Sequence, residues 1–416
     1  MKHNIRYIFI VFLFVNCTGK TPNTNVDTVE ISNIIDLSAG LKNAQTVQLS
    51  EIADSVTFIP FETIPQSFQN QGQQYITFSI PYIFYFNKYF DWTGKYLGTI
   101  GKRGQGPFEE PEGVHNVLFT DNRFYSKGSK FIEYDSNGKP TGKVRNLYVI
   151  KDMGYDGILK QGGTFFSTEN HFAVYNYPLD VYFFNKNFET VSSRRILEVD
   201  SVKPMYQVIG DQKAVTFYKD HILFYNFMND TIFYVTNTDL EPKWIVSFDD
   251  PSRLPTEAIL NAQELISKVT FALRSGSQVL EHTELAQLTD NKHKVIAVYE
   301  TEKYLIFQLT EILFFAEFRG KDPKKPYIVY YDKDTGKTVR VKGNGFEDDL
   351  LGMDFFYPLL GVFDEKLITY IWPYELLNYI DECREKGREI NPQLMALSKK
   401  VDPEDNPVLI LAHLKK

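Results

Sequence analysis

Six times along this chain one or more polar residues lead directly into a short aromatic or aliphatic run. The first three read Gln74-Tyr75-Ile76-Thr77-Phe78, Asp121-Asn122-Arg123-Phe124-Tyr125 and Glu169-Asn170-His171-Phe172-Ala173-Val174-Tyr175. The pattern returns as Asp220-His221-Ile222-Leu223-Phe224-Tyr225, Glu302-Lys303-Tyr304-Leu305-Ile306-Phe307 and Glu365-Lys366-Leu367-Ile368-Thr369-Tyr370. A second pattern follows most of these, a short apolar strand ending in a turn built on Asp or Asn. It spans Tyr89 to Lys95, Tyr134 to Lys139, Phe184 to Asn187, Val235 to Asp239 and Tyr331 to Lys337. Gly and Asn supply the positive φ of tight turns, and Asp caps the turn backbone. Steps of roughly 50 residues through the first half lie close to the length of one four-stranded propeller blade. Six such units predict an all-β chain folded as a six-bladed β-propeller.

Two stretches break the strand rhythm and read as small helical insertions. From Thr256 to Arg274, the residues Ile259, Leu260, Leu265, Ile266 and Val269 fall at helical spacing, with Thr256 placed to cap after Pro255. From Tyr374 to Lys400, apolar residues recur at the same spacing and Pro392 divides them into two short helices. The segment Thr46 to Phe61 supplies an early strand able to pair with Val408 to Ala412, which would close the ring and remove exposed sheet edges.

The N-terminus reads as an export signal. Lys2, His3 and Arg6 form a short basic region, and Tyr7 to Val15 is an apolar run well short of the roughly 20 residues a spanning helix needs. Phe14-Val15-Asn16-Cys17 resembles a lipobox, with Cys17 the residue to be lipidated and Asn16 in place of the usual small residue. The expected organisation is a signal peptide over 1–17, a polar tether over 18–45 and the propeller over 46–416. Cys383 is the other cysteine, so a lipidated Cys17 leaves no disulfide framework. A net charge of −8 without a basic stretch argues against a nucleic-acid partner.

The run Gly94 to Pro107, Asn229 to Val235, Asp354-Phe355-Phe356-Tyr357-Pro358 and the ending Asp405 to Ile410 occur in the order found in a known group. From about Thr46 onward the chain resembles the six-bladed β-propeller lipoproteins of Bacteroides and relatives, which are akin to NHL-repeat propellers. The resemblance implies the fold and a lipid-anchored address in the cell envelope. The tether lacks the acidic cluster that follows the cysteine in surface-exported lipoproteins of these bacteria, which favours the periplasmic side. Fold alone gives no activity.

Several motifs invite chemical readings. Gly101 to Pro107 is glycine-rich like a phosphate loop, but Pro107 and Pro111 follow it where a helix would have to start, so a connection between blades is expected. His171 and His221 occupy equivalent repeat positions and His115 precedes a third unit, a set able to converge on a zinc-like ion. Arg123, Lys303 and Lys366 at the matching places point instead to solvent-facing turns. Asp348, Asp349 and Asp354 lie in one local stretch, whereas the channel cation site of related lactonase propellers draws its ligands from several blades. No Gly-x-Ser-x-Gly, His-Glu-x-x-His or Cys-x-x-Cys motif is present. The aromatics Tyr82, Phe84, Tyr85, Phe86, Tyr89, Phe90 and Trp92 are expected mostly to pack between blades. The expectation is therefore a non-enzymatic binding or scaffold module for a protein or glycan partner, held to a membrane by its lipid and needing no cofactor. The alternative is a metal-dependent hydrolase or lyase with a divalent cation in the channel. Beyond Cys17 no site residue is assigned.

Overall fold

Five blades are each built on four antiparallel strands consecutive in sequence, and the sixth takes its outer strand from the start of the chain. The computed structural model describes residues 34–68, 76–111, 113–114, 117–146, 164–168, 170–176, 180–196, 213–227, 229–248, 253–254, 290–311 and 325–416. The first blade is Ile76–Ser79, Tyr82–Tyr85, Lys88–Phe90 and Tyr96–Thr99, from the channel outward. The second is Val117–Thr120, Arg123–Lys127, Lys130–Tyr134 and Pro140–Asn146, and the third Thr164–Ser167, Phe172–Asn176, Asp180–Phe184 and Thr190–Arg195. The fourth runs Val215–Tyr218, His221–Tyr225, Thr231–Val235 and Leu240–Ser247, and the fifth His293–Glu300, Tyr304–Glu311, Tyr327–Asp332 and Lys337–Val341. The sixth joins Gly361–Phe363, Lys366–Ile371 and Val408–Leu414 to Ala53–Pro60 from the other end of the chain. Six blades stand in a ring, as the repeats predict, and the closing strand is the expected one.

The turn chemistry follows the second sequence pattern. Asp135 Oδ1 accepts from the main-chain N–H groups of Asn137 and Lys139, both at 2.9 Å. The Lys139 N–H and then that of Asn137 hold this carboxyl below its usual range. Asp91, Asn185 and Asp332 bind the main-chain N–H groups of their own turns in the same way. The first pattern is out of step once. Five of its runs lead into second strands, but Ile76–Ser79 is an inner strand. The second strand of that blade is entered through Ile80-Pro81, an apolar pair where the other blades carry polar turns.

Aromatic side chains fill the wedges between blades. Tyr125, Phe131, Phe165, Phe172, Phe184 and Phe188 form the seam between the second and third blades, with Phe131 and Phe188 stacked at 5.0 Å. Of the aromatics singled out above, Phe84, Tyr85, Tyr89 and Phe90 are buried, while Tyr82, Phe86 and Trp92 stay half-buried. The fifth–sixth seam is mainly aliphatic, built on residues such as Ile306, Ile328, Leu367, Val408 and Ile410.

The polar tether expected over 18–45 needs correcting, because residues from 34 onward are part of the ring. Ile34–Asp36 adds a parallel fifth strand outside Leu240–Ser247, and Ala44–Gln45 does the same outside Lys337–Val341. Between them lies helix α1 (Leu37–Lys42), capped by Asp36, whose Oδ1 accepts from Ala39 N–H at 3.0 Å. A one-turn helix α2 (Leu49–Ile52) then leads into the closing strand. Parallel pairing with an outer strand leaves no alternation for the sequence to show, yet Ile35 and Leu37 are fully buried at the fourth–fifth seam. Gly40 is required there, since a Cβ would stand 2.6 Å from Thr338 Cγ2. The insertion near the C-terminus forms α3 (Pro373–Glu385) and α4 (Pro392–Ser398), split where Pro392 predicts. The helix expected over 256–274 lies outside the described residues, as does Cys17.

The strap generates a prediction. Leu37→Ala removes a fully buried side chain at the seam of two blades and is expected to lower stability by about 2–5 kcal/mol. Chemical denaturation of the two proteins measures it, and an unchanged midpoint would show the strap to be dispensable.

Candidate functional site

Antiparallel alternation puts the short polar turns at one end of the ring and the long connections at the other. The described parts of the long-connection end include 61–68, 100–111, 342–360 and 372–407.

Gly101 to Pro107 is a closed turn here. The Lys130 ammonium donates to the carbonyls of Gly106, Pro107 and Glu109, at 2.8, 3.3 and 3.1 Å. Glu109 accepts from the Gly106 N–H at 2.9 Å, and Gly104 N–H donates to the Glu110 carbonyl. The buried Glu110 carboxylate takes the Ser129 N–H and hydroxyl, at 3.1 and 2.9 Å. The loop joins the first two blades, and among the described residues no helix follows it to orient donors toward a phosphate.

The two described histidines of the metal hypothesis do not converge. His171 Nδ1 lies 2.7 Å from Asn237 Oδ1 in the next blade, and His221 stacks on Tyr234 at 4.5 Å and 4°. His115 lies outside the described residues. The three acids go separate ways. Asp349 accepts from Ser50 N–H at 2.9 Å and ties down α2, and Asp354 faces Arg388 at 3.8 Å. Asp348 is buried: its Oδ1 accepts from Leu351 N–H at 2.8 Å, while Oδ2 has no hydrogen-bond partner. Burial raises its pKa. Among the described residues, no three His, Cys, Asp or Glu side chains gather as a metal site.

At the mouth of the channel three blades meet around Lys213. Its main-chain N–H donates to the Ile296 carbonyl of the fifth blade at 2.7 Å. Its ammonium lies 5.2 Å from the Tyr299 ring centroid and 3.3 Å from the Leu360 carbonyl, where the sixth blade begins. Tyr299 donates to Gln308 at 3.4 Å, and Gln308 donates to the Pro358 carbonyl at 2.6 Å. Gly361 is obligatory beneath this ring, because a Cβ would stand 2.1 Å from the Tyr299 Cζ. Tyr357 neighbours Tyr299, and its hydroxyl is buried without a hydrogen-bond partner. Lys213 is open to the channel yet enclosed by the ring, and loss of water lowers its ammonium to about 8.

Large side chains are exposed at this end. Phe355 is 44% exposed and Leu359 47%, both on the connection into the sixth blade. Tyr374, 37% exposed, opens α3 at the same end. The connection is held against the insertion by Tyr379, which donates to the Gly352 carbonyl at 2.7 Å, and by Asn391, which donates to that of Leu350 at 2.9 Å. Asp354 to Pro358 stands out as a motif in the sequence, whereas Lys213 carries no local signal because its surroundings come from three blades.

The family model described as Domain of unknown function (DUF4934) matches residues 32–413. No curated protein matches the sequence. A candidate exported protein of Bacteroides fragilis has the same fold, with a TM-score of 0.62 and 16% identity over 92% of this chain and 99% of that one. The N-terminal domain of Nup159 reaches a TM-score of 0.37 at 9% identity, covering 82% of this chain and 76% of that one. BamB from Moraxella catarrhalis reaches 0.27 at 11% identity, over 69% and 66%.

Asp348 yields a pH prediction. Its folded pKa is raised, so the stability it contributes is full below the unfolded value of about 3.9 and is lost as pH rises through the folded value. Asp348→Asn keeps an acceptor for Leu351 and removes the buried charge. It should match or exceed the parent in thermal stability at neutral pH, with the gain shrinking toward about pH 4. A constant difference across that range would show that Asp348 does not titrate in this way.

Proposed function

We propose that this chain, which belongs to the DUF4934 family, serves as a binding or scaffold module of the cell envelope for a protein or glycan partner. The observation that carries the reading is the apolar rim of Phe355, Leu359 and Tyr374, at the end of the ring where the long connections and the α3–α4 insertion lie. Exposed large side chains at the loop end of a propeller offer an apolar surface to a partner. The lipoprotein character, the lipid on Cys17, the periplasmic side and the kinship to NHL-repeat propellers belong to the same proposal. The basic, apolar and Cys17 sequence of the first residues supports it, as does likeness to a candidate exported protein. Among the described residues no helix is long and apolar enough to cross a membrane.

The channel-site enzyme would require acids from several blades around one ion. The acids that suggested it sit on one connection and hold turns, a helix and Arg388. The binding reading needs no cofactor, so calcium, magnesium, zinc or a chelator should leave the unfolding temperature unchanged. A ligand of the folded state would raise stability by about 2.7 kcal/mol at 100 times its dissociation constant, an effect thermal shift detects readily.

Two further outcomes are expected. Cys17→Ser should move the protein from the membrane fraction to the soluble fraction, and unchanged fractionation would remove the anchor. The double variant Phe355→Asp, Leu359→Asp should lose capture of its envelope partner while unfolding at the parent temperature. Equal capture by both proteins would place the binding surface elsewhere.

A further inference from the structure

We propose that Asn344 is a site of spontaneous covalent modification, where the side-chain amide is lost through a cyclic imide formed with the main chain of Gly345. The site lies on the connection that carries Phe355 and Leu359 and needs no partner.

This reaction makes asparagine labile, and it needs a side chain able to fold back onto the next residue's amide nitrogen. Glycine in that next place leaves the nitrogen unshielded, because it has no Cβ. The pair Asn-Gly occurs twice in the sequence, at Asn137-Gly138 and Asn344-Gly345, and both asparagines are exposed. The fold treats them differently. Asn137 sits in the tight turn between the outer two strands of the second blade. There the Gly138 N–H, whose nitrogen would have to attack, donates to the Asp135 carbonyl at 3.0 Å. The Asn137 N–H is held by Asp135 Oδ1 at 2.9 Å, and the Gly138 carbonyl accepts from Gly101 N–H at 3.3 Å. A turn locked on every side keeps the side chain and the nitrogen apart. Asn344 stands instead at the tip of a turn between two glycines of positive φ, +84° at Gly343 and +152° at Gly345. Glycine on both sides gives the tip the freedom to bring amide and nitrogen together.

The Gly345 nitrogen gives up its proton to water and attacks Asn344 Cγ; the Cγ–Nδ2 bond breaks and ammonia leaves. Water then opens the imide. Opening at Cγ yields aspartate, and opening at the main-chain carbonyl yields isoaspartate, in which the chain runs through the former side chain and is one methylene longer. The net change is amide plus water to carboxylate plus ammonium, with no other reactant. The imide uses only the Gly345 nitrogen, whereas the crowding lies at the Gly345 Cα. A Cβ there would stand 2.4 Å from the Phe356 carbonyl oxygen, so the lengthened chain has little room to adjust. It therefore loosens the pairing of Phe346 with Phe356, whose N–H groups and carbonyls exchange bonds of 3.0 and 2.8 Å beside Phe355.

The experiment is peptide mapping by mass spectrometry of the whole protein, incubated in its folded state in mildly alkaline buffer. Asn344 should convert at least about tenfold faster than Asn137, the factor implied by having to break one or two turn hydrogen bonds first. In denaturant, where neither turn persists, the two should convert at similar rates. Equal or faster conversion of Asn137 in the folded protein would overturn the proposal, and so would a difference as large in denaturant. Hydrogen exchange over residues 346–356 reads the consequence. It should quicken in the isoaspartate form and stay at the parent's rate in Asn344→Asp, which has the charge without the extra methylene. Asn344→Gln, incubated in the same way, should also keep the parent's rate. Unchanged exchange in the isoaspartate form, or equal quickening in the incubated Asn344→Gln protein, would sink the link from Asn344 to the Phe346–Phe356 pair.

Discussion

The antiparallel pairing of Ala53–Pro60 with Val408–Leu414 joins segments some 350 residues apart, and the rest of the ring depends on it. Bringing such distant ends together costs about 5 kcal/mol of loop-closure entropy beyond a constant term. The pairing is correspondingly apolar. Val408 to Ala412 are all buried, and Leu409 and Leu411 face the first blade's cluster while Val408, Ile410 and Ala412 face the fifth's. Asn406, buried just before the strand, donates to the carbonyls of Glu62 and Ser67 and fixes the register of the chain that leaves the opposite strand. Each remaining seam needs two faces held at the right wedge angle, and closure supplies that angle.

The two halves of the ring meet this demand differently. The first three blades rely on aromatic seams, where stacked and edge-on rings fill wide wedges. Their outer strands have nothing of the strap beyond them. The fourth and fifth blades have the strap laid along their outer edges and more aliphatic seams. Their turn end is saturated with paired charge: Glu300 receives both Lys333 and the Tyr234 hydroxyl, at 2.6 and 2.9 Å. At the opposite end, among the described residues, Lys213 reaches only the Leu360 carbonyl and the buried Tyr357 hydroxyl has no hydrogen-bond partner.

Much of the architecture was legible because a repeat imposes it. Turn residues such as Asp135 and Asn185 act on their own neighbours, so a local pattern suffices to find them. The closing strand was legible because Val408 to Ala412 is strongly apolar and needed an edge partner. The strap was not, since parallel pairing with an outer strand leaves no alternation to read and buries only single residues such as Ile35 and Leu37. The channel mouth was invisible for a different reason. Lys213 gains its meaning from Tyr299 and Leu360, residues remote in sequence and ordinary in themselves. The histidines illustrate the converse: equivalent repeat positions lie a blade apart on the turn end, where equivalence spreads side chains around the ring instead of gathering them.

The position of Val408–Leu414 inside its sheet has a consequence in time. It is not the edge of the sixth blade but its third strand, with Lys366–Ile371 on one side and Ala53–Pro60 on the other. A chain emerging from its N-terminus must hold Ala53–Pro60 without its partner until nearly all the other blades have been made. Until then the ring is an open arc with two unmatched apolar faces, and no local event can seal it. The last native step is thus an insertion between two waiting strands, a latch that only the far end of the chain can throw.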